Sequence, residues 1–148
     1  FYGDQTGKSQ ISLIETAEMI LQNLDSKVLE TLQVINQYMV MDPELVKKDG
    51  FFKILLKFPF LKRVKIGQGI ESTEKFTEKL AYVTDLELYQ INLPKISGIF
   101  DLKALTMLVY WFPLQMDSNY YRQVFKAVGQ MCSLRSLSLK TSRRDGYA

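Results

Sequence analysis

Histidine is absent from these 148 residues and cysteine occurs once, as Cys132. The first absence removes the imidazole general base, the histidine-containing triads and the Cys₂His₂ zinc site. The second leaves no internal disulfide, and no Asn-x-Ser/Thr acceptor occurs in the chain. Such a sequence predicts a reducing, intracellular setting, cytoplasmic or nuclear. Long apolar runs are missing too. The longest, Ala104 to Leu114, has eleven residues with Thr106 and Pro113 inside it. A spanning helix needs about 20, so no membrane segment is expected. Charge is nearly balanced: 19 basic and 16 acidic residues leave +3, too mild to demand nucleic acid or a membrane surface as partner. What is present is globular in kind, 47% apolar and 24% charged residues, unlike a disordered chain. The length suits one domain with a real core. The chain opens on Phe1 with neither methionine nor a signal-peptide pattern, and is expected to be a piece of a longer protein.

A short apolar pattern recurs five times: Leu29-x-x-Leu32-x-Val34, Leu61-x-x-Val64-x-Ile66, Val83-x-x-Leu86-x-Leu88, Leu102-x-x-Leu105-x-Met107 and Leu134-x-x-Leu137-x-Leu139. The starts at 29, 61, 83, 102 and 134 are spaced by 32, 22, 19 and 32 residues. Each instance predicts a strand, because side chains alternate with period two and the fourth and sixth positions then share one face. Lys65, Glu87, Thr106 and Ser138 fall between them and point to the other face.

Between the strands the signals are mostly helical. Ile11 to Leu24 places Ile11, Ile14, Met19, Ile20 and Leu24 at near-helical spacing, with Ser9 as a candidate N-cap. Asp42-Pro43 reads as an N-cap and first helical proline leading into Glu44 to Lys48, broken at Gly50, with a further turn or two over Phe51 to Phe58. Ser72 to Leu80 and Asp117 or Ser118 to Gly129 read as two more helices. Strand and helix repeated along a chain give a doubly wound sheet or a solenoid. Doubly wound strands are buried on both faces and read as continuous apolar runs. Lys62-Arg63-Val64-Lys65-Ile66 and Thr84-Asp85-Leu86-Glu87-Leu88 instead alternate with charge, which predicts one sheet face open to water.

Leu-x-x-Leu-x-Leu strands joined by helical segments resemble the leucine-rich repeat family, most closely at Leu134-Arg-Ser-Leu137-Ser-Leu139, and the resemblance covers roughly residues 11 to 142. Gln37, Gly69, Ile91, Tyr110 and Ser142 stand where the family's closing asparagine belongs. Two spacings also exceed the usual range of about 20–29 residues. The likeness is therefore to the irregular, helix-rich intracellular kind. It implies an α/β solenoid with parallel strands on the concave face and helices on the convex face. It also implies a parent such as a ubiquitin-ligase substrate adaptor or an innate immune receptor.

Rival chemistry is sparse. Gly3-Asp4-Gln5-Thr6-Gly7-Lys8-Ser9 approaches a phosphate-binding loop, in which backbone N–H groups wrap the phosphates and the lysine reaches them. Only three residues separate its glycines, one short of the loop, and the alternative is a capped lead-in to the first helix. Asp42 after an apolar stretch would be the magnesium-binding partner. Lys47, Lys48, Lys53, Lys57, Lys62, Arg63 and Lys65 form a basic cluster with Asp49 its one acid and four phenylalanines among them. A solvated helix face is the stronger reading over phosphate contact, because Glu71, Glu74, Glu78, Asp85 and Glu87 follow at once. Tyr110-Trp111-Phe112 is either an interface hot spot or packing beneath the link that follows. Cys132 reads as a small core residue, with no base near it in sequence.

The expectation is a non-catalytic interaction module: a lead-in at 1–10, about five repeat units over 11–142 and a tail at 143–148. No cofactor and no metal are expected. Its open face carries Thr31, Gln33, Ile35; Arg63, Lys65, Gly67; Asp85, Glu87, Tyr89; Ala104, Thr106, Leu108; and Ser136, Ser138, Lys140. At about 4.8 Å per strand, five strands make a surface roughly 19 Å long. Arg63, Lys65, Asp85, Glu87, Tyr89, Thr106, Ser138 and Lys140 are the candidate residues for a protein partner, with the rest of the parent chain as the other neighbour. The basic and acidic rungs either meet a partner carrying both charges or pair with each other across the sheet. The alternative function is a fragment of a nucleotide-hydrolysing enzyme resting on Lys8, Ser9 and Asp42.

Overall fold

A computed structural model of the chain describes residues 2–3, 13–36, 49–67, 79–89, 98–112 and 117–141. The strands are β1 (Tyr2–Gly3), β2 (Thr31–Asn36), β3 (Arg63–Ile66), β4 (Asp85–Tyr89), β5 (Met107–Phe112) and β6 (Ser136–Thr141). All pair in parallel, each with the strand before it, so the sheet runs from β1 to β6 without a reversal of strand order. β2 to β6 form the continuous five-stranded part, and β1 joins its edge through two residue pairs, Tyr2 with Ile35 and Gly3 with Asn36. The described helices are α1 (Leu13–Asn23), α2 (Asp49–Leu55) and α3 (Ser118–Gly129), with a 3-10 turn at Leu102–Ala104. The class is thus α/β with an all-parallel sheet. No helix among the described residues is long and apolar enough to cross a membrane.

One backbone arrangement recurs at the head of four strands. The Glu30 carbonyl accepts from the N–H groups of Lys62 and Arg63, at 2.9 and 3.1 Å. The Lys62 carbonyl accepts from Thr84 and Asp85, at 2.9 and 3.0 Å, and the Thr84 carbonyl from Thr106 and Met107, at 2.8 and 3.1 Å. The Thr106 carbonyl then accepts from Arg135 and Ser136, at 2.8 and 3.0 Å. Each junction is locked by the same pair of donors, which fixes the register of the strand that follows.

The covered face of the sheet carries the core. Leu32, Val34, Val64, Ile66, Leu86, Leu88, Leu108, Tyr110 and Phe112 are all buried. Leu61, Val83 and Leu105, three residues ahead of the first inward residue of β3, β4 and β5, are buried with them. Full burial of each large side chain is worth about 1.5–3 kcal/mol. This corrects the fourth repeat. Leu105, expected on the strand, lies before it. Met107 is on the opposite face, and Leu108, expected on the open face, is in the core.

Helix α1 turns Ala17 and Leu21 inward, while Met19 and Ile20, expected on the buried side, are 60% and 43% exposed. Residues four apart share a helix face, and those two lie round the side from it. Helix α2 begins at Asp49 and takes Gly50 into its first turn; the helix over Glu44 to Lys48 that Gly50 was expected to end lies outside the described residues. Phe51, Phe52 and Leu55 are buried from α2, which outweighs the roughly 1 kcal/mol a glycine costs a helix. The Lys57 Nζ donates to the carbonyls of Leu21 and Gln22, at 3.2 and 3.0 Å. It supplies the cation that the last turn of α1 lacks. Phe51, Phe52 and Phe58, which stand among the basic residues in sequence, are in the core. Asp117 caps α3, its Oδ1 accepting from the Tyr120 N–H at 2.8 Å. Cys132, expected in the core, is exposed, because neighbouring Met131 fills the buried position of that turn.

The helix expected over Glu44 to Lys48, residues 72–78 of the next one, the tail, and the lead-in beyond Tyr2–Gly3 fall outside the described residues. Leu80, expected to end a helix, makes a parallel bridge with Phe100. At the far edge, Leu137 and Leu139 of β6 occupy inward positions yet are each 45% exposed.

Candidate functional site: the open face of the sheet

Parallel register without reversal turns the outward side chains into rows that cross the strands. One row runs Thr31, Arg63, Asp85, Met107, Ser136, and the next Gln33, Lys65, Glu87, Val109, Ser138. A third brings Tyr89, Trp111 and Lys140 together. Seven of the eight candidate residues therefore share this face: Arg63, Lys65, Asp85, Glu87, Tyr89, Ser138 and Lys140. Thr106 does not belong to the rows. It sits just ahead of β5, its Oγ1 donating to the Thr84 carbonyl at 3.3 Å and to Asp85 Oδ1 at 3.4 Å.

The charged rungs pair with each other. Arg63 Nε lies 3.3 Å from Asp85 Oδ2, and Lys65 Nζ lies 3.1 Å from Glu87 Oε2. With the Arg63 side chain 70% exposed, such pairs are worth about 0.2–1 kcal/mol each. A shallow depression of about 200 Å³ opens over these charges and reaches Met107.

Glu87 organises what lies beside them. Its Oε1 accepts from the Tyr89 hydroxyl at 3.2 Å and from the Trp111 indole N–H at 3.4 Å, while Oε2 meets Lys65. The two rings stack with centroids 5.2 Å apart and planes 17° off parallel. Lys65 Nζ lies over the Tyr89 ring at 5.2 Å and Lys140 Nζ over the Trp111 ring at 5.0 Å. The result is a four-layer stack of cation, two rings and cation across three strands and the edge. Its hydrogen bond with Tyr89 first, and the Glu87 carboxylate after it, hold the Lys65 ammonium above the usual lysine range against a desolvation that lowers it.

Met107, Val109 and Trp111 are the face residues that the repeat pattern missed. Leu102-x-x-Leu105-x-Met107 fits the pattern, but Leu102 is buried in a 3-10 turn whose cap, Asp101 Oδ1, accepts from the Lys103 N–H at 3.1 Å. Met107 to Phe112 is apolar throughout, so period two leaves no trace in it. The signal that finds the register is spacing: Leu61, Val83 and Leu105 are 22 residues apart. The aromatic run then divides by face. Tyr110 and Phe112 pack in the core beneath α3, with the Tyr110 and Tyr120 hydroxyls 2.6 Å apart, and Trp111 faces out.

Lys8, Ser9 and Asp42 lie outside the described residues, and among those described no group of three or more His, Cys, Asp or Glu could hold a metal. Comparison with protein-family models, with curated proteins and with solved structures finds no match.

Proposed function

We propose that the chain is a leucine-rich-repeat-like solenoid that binds a protein partner, without catalysis, through the open face of its sheet. The observation that carries this reading is the register of the outward rows: five consecutive parallel strands display a fixed stack of Tyr89 and Trp111 beside apolar Met107 and Val109. With Leu105 as first position, the unit starts become Leu29, Leu61, Val83, Leu105 and Leu134, spaced by 32, 22, 22 and 29 residues. The repeated carbonyl arrangement at four strand heads supports reading these as one structural unit repeated. The mechanism is rigid display. The core leucines and Glu87 hold the outward side chains before a partner arrives, so little order has to be imposed on binding. Concentrated aromatic and apolar side chains on a sheet face are what interface hot spots are made of. A reducing compartment fits the exposed lone Cys132.

The test is crosslinked capture from lysate with three folded proteins: the parent chain, Trp111→Ala and Phe125→Ser. Phe125 is 59% exposed on α3, away from the open face. Partners lost by Trp111→Ala and kept by Phe125→Ser support the open face. The reverse outcome moves the site to the helices.

A further inference from the structure

We infer that the β5–β6 part of the open face takes an extended segment of a partner protein that carries an aspartate or glutamate beside an apolar side chain. The carboxylate meets Lys140, and the apolar residue lies against Met107, Val109 and Trp111. This rests on the proposal that the open face is the recognition surface and adds the chemistry of what it recognises.

Charge complementarity is the argument. Of the charges in the outward rows, Arg63 and Lys65 already hold Asp85 and Glu87. Lys140 is exposed on the edge strand, with the Trp111 ring as its contact, and no carboxylate of the described residues lies within 4.0 Å of it. One uncompensated ammonium therefore stands at the outer end of the stack. Its position is set by the indole beneath it, and the indole is set by Glu87. A single carboxylate matches that charge. A phosphate monoester, at about −1.5 to −2, is matched by clustered cations and favours the bidentate fork of arginine, but the Arg63 guanidinium is engaged with Asp85. The apolar half of the ligand follows from the neighbouring strand. Across from Met107 and Val109, β6 offers Ser136 and Ser138, small side chains that leave the flanks of the larger two open to contact. Their hydroxyls can donate to or accept from the backbone of a segment laid along β6.

The probe is an array of random nonapeptides read with the intact chain, with matched sets in which each Asp or Glu is replaced by Asn, Gln or phosphoserine. The expected result is enrichment of peptides with an acid next to an apolar residue. Their amide-substituted counterparts should bind about two- to fivefold more weakly, the size of an exposed ion pair. Lys140→Gln should erase that difference while keeping the apolar preference, and Lys140→Glu should shift selection toward lysine and arginine. Trp111→Ala should weaken the selected peptides roughly thirtyfold or more, as loss of a hot-spot ring does. Lys126→Gln, an exposed cation on α3, should change nothing. Circular dichroism confirms that each variant is folded, and Lys140 is exposed enough for both its variants to fold. Peptides lost on Trp111→Ala that show no acidic preference would overturn this inference and leave the open-face reading standing. Selection indifferent to both Trp111→Ala and Lys140→Gln would overturn both. An empty array, or phosphoserine preferred over glutamate, would overturn the carboxylate.

Discussion

Replacing Leu108 with alanine tests the register of β5, on which the composition of the open face depends. Leu108 is fully buried and pairs with Leu86 on one side and Leu137 on the other. The change removes about three carbons at about 0.8 kcal/mol each, and the unfilled space in a sheet held by backbone hydrogen bonds raises the cost to roughly 3 kcal/mol. That is a large part of the 5–15 kcal/mol or so by which a domain is stable. At roughly 2–4 °C per kcal/mol for a chain of this size, the melting temperature should fall by about 6–12 °C. Val109→Ala removes a half-buried side chain from the open face and should cost less than about 1 kcal/mol. Leu137→Ala provides the internal control: the residue occupies the same inward position one strand over but is 45% exposed, so about half the transfer contribution, roughly 1.3 kcal/mol, should be lost. Urea denaturation followed by circular dichroism measures all three. Equal costs for Leu108→Ala and Val109→Ala would refute the register and, with it, the placement of Met107 and Trp111 on the open face.

Three further outcomes follow from named contacts. Asp117→Ala should cost about 1 kcal/mol in the same denaturation assay, because the first turn of α3 loses its side-chain acceptor. Glu87→Ala should leave the far-ultraviolet spectrum intact while weakening the near-ultraviolet dichroism of Trp111, the single tryptophan of the chain, since the indole loses its acceptor. The raised Lys65 pKa means that its contribution to stability is fully present below the ordinary lysine value and disappears as pH rises through the folded-state value. The stability deficit of Lys65→Met should therefore stay constant across neutral pH and shrink only in the alkaline range.

How much of this was legible in the sequence depends on contrast between the two faces of a strand. β3 and β4 alternate charge with aliphatic side chains, and there the pattern located both faces and the partners across them. β5 offered no contrast, because Met107 to Phe112 is apolar on both sides, and a chance match three residues upstream took its place. The same lack of contrast hid the most apolar part of the candidate site: a strand that is apolar on both of its faces erases its own alternation. Asp117 was readable because capping is local chemistry. Exposure of Met19 and Ile20 was not, since the width of the buried stripe on α1 is decided by what packs against it. The competition between cross-strand ion pairing and partner binding at Arg63, Lys65, Asp85 and Glu87 is a matter of distances. The stacking of Tyr89 on Trp111 is equally so, because the two residues become neighbours only once the strands are in register.

The order of the strands also bears on how the chain reaches this state. Every described strand after β1 pairs with one that precedes it, so as the chain emerges during synthesis each of them meets an edge that already exists. Pairing never has to wait for a later segment or thread between two earlier ones, and domains made at about 5–20 residues per second generally fold from the N-terminal side. Growth of this kind runs like a zipper from β1 toward β6. Of the described strands, β6 is the least covered, with Leu137 and Leu139 exposed at its edge.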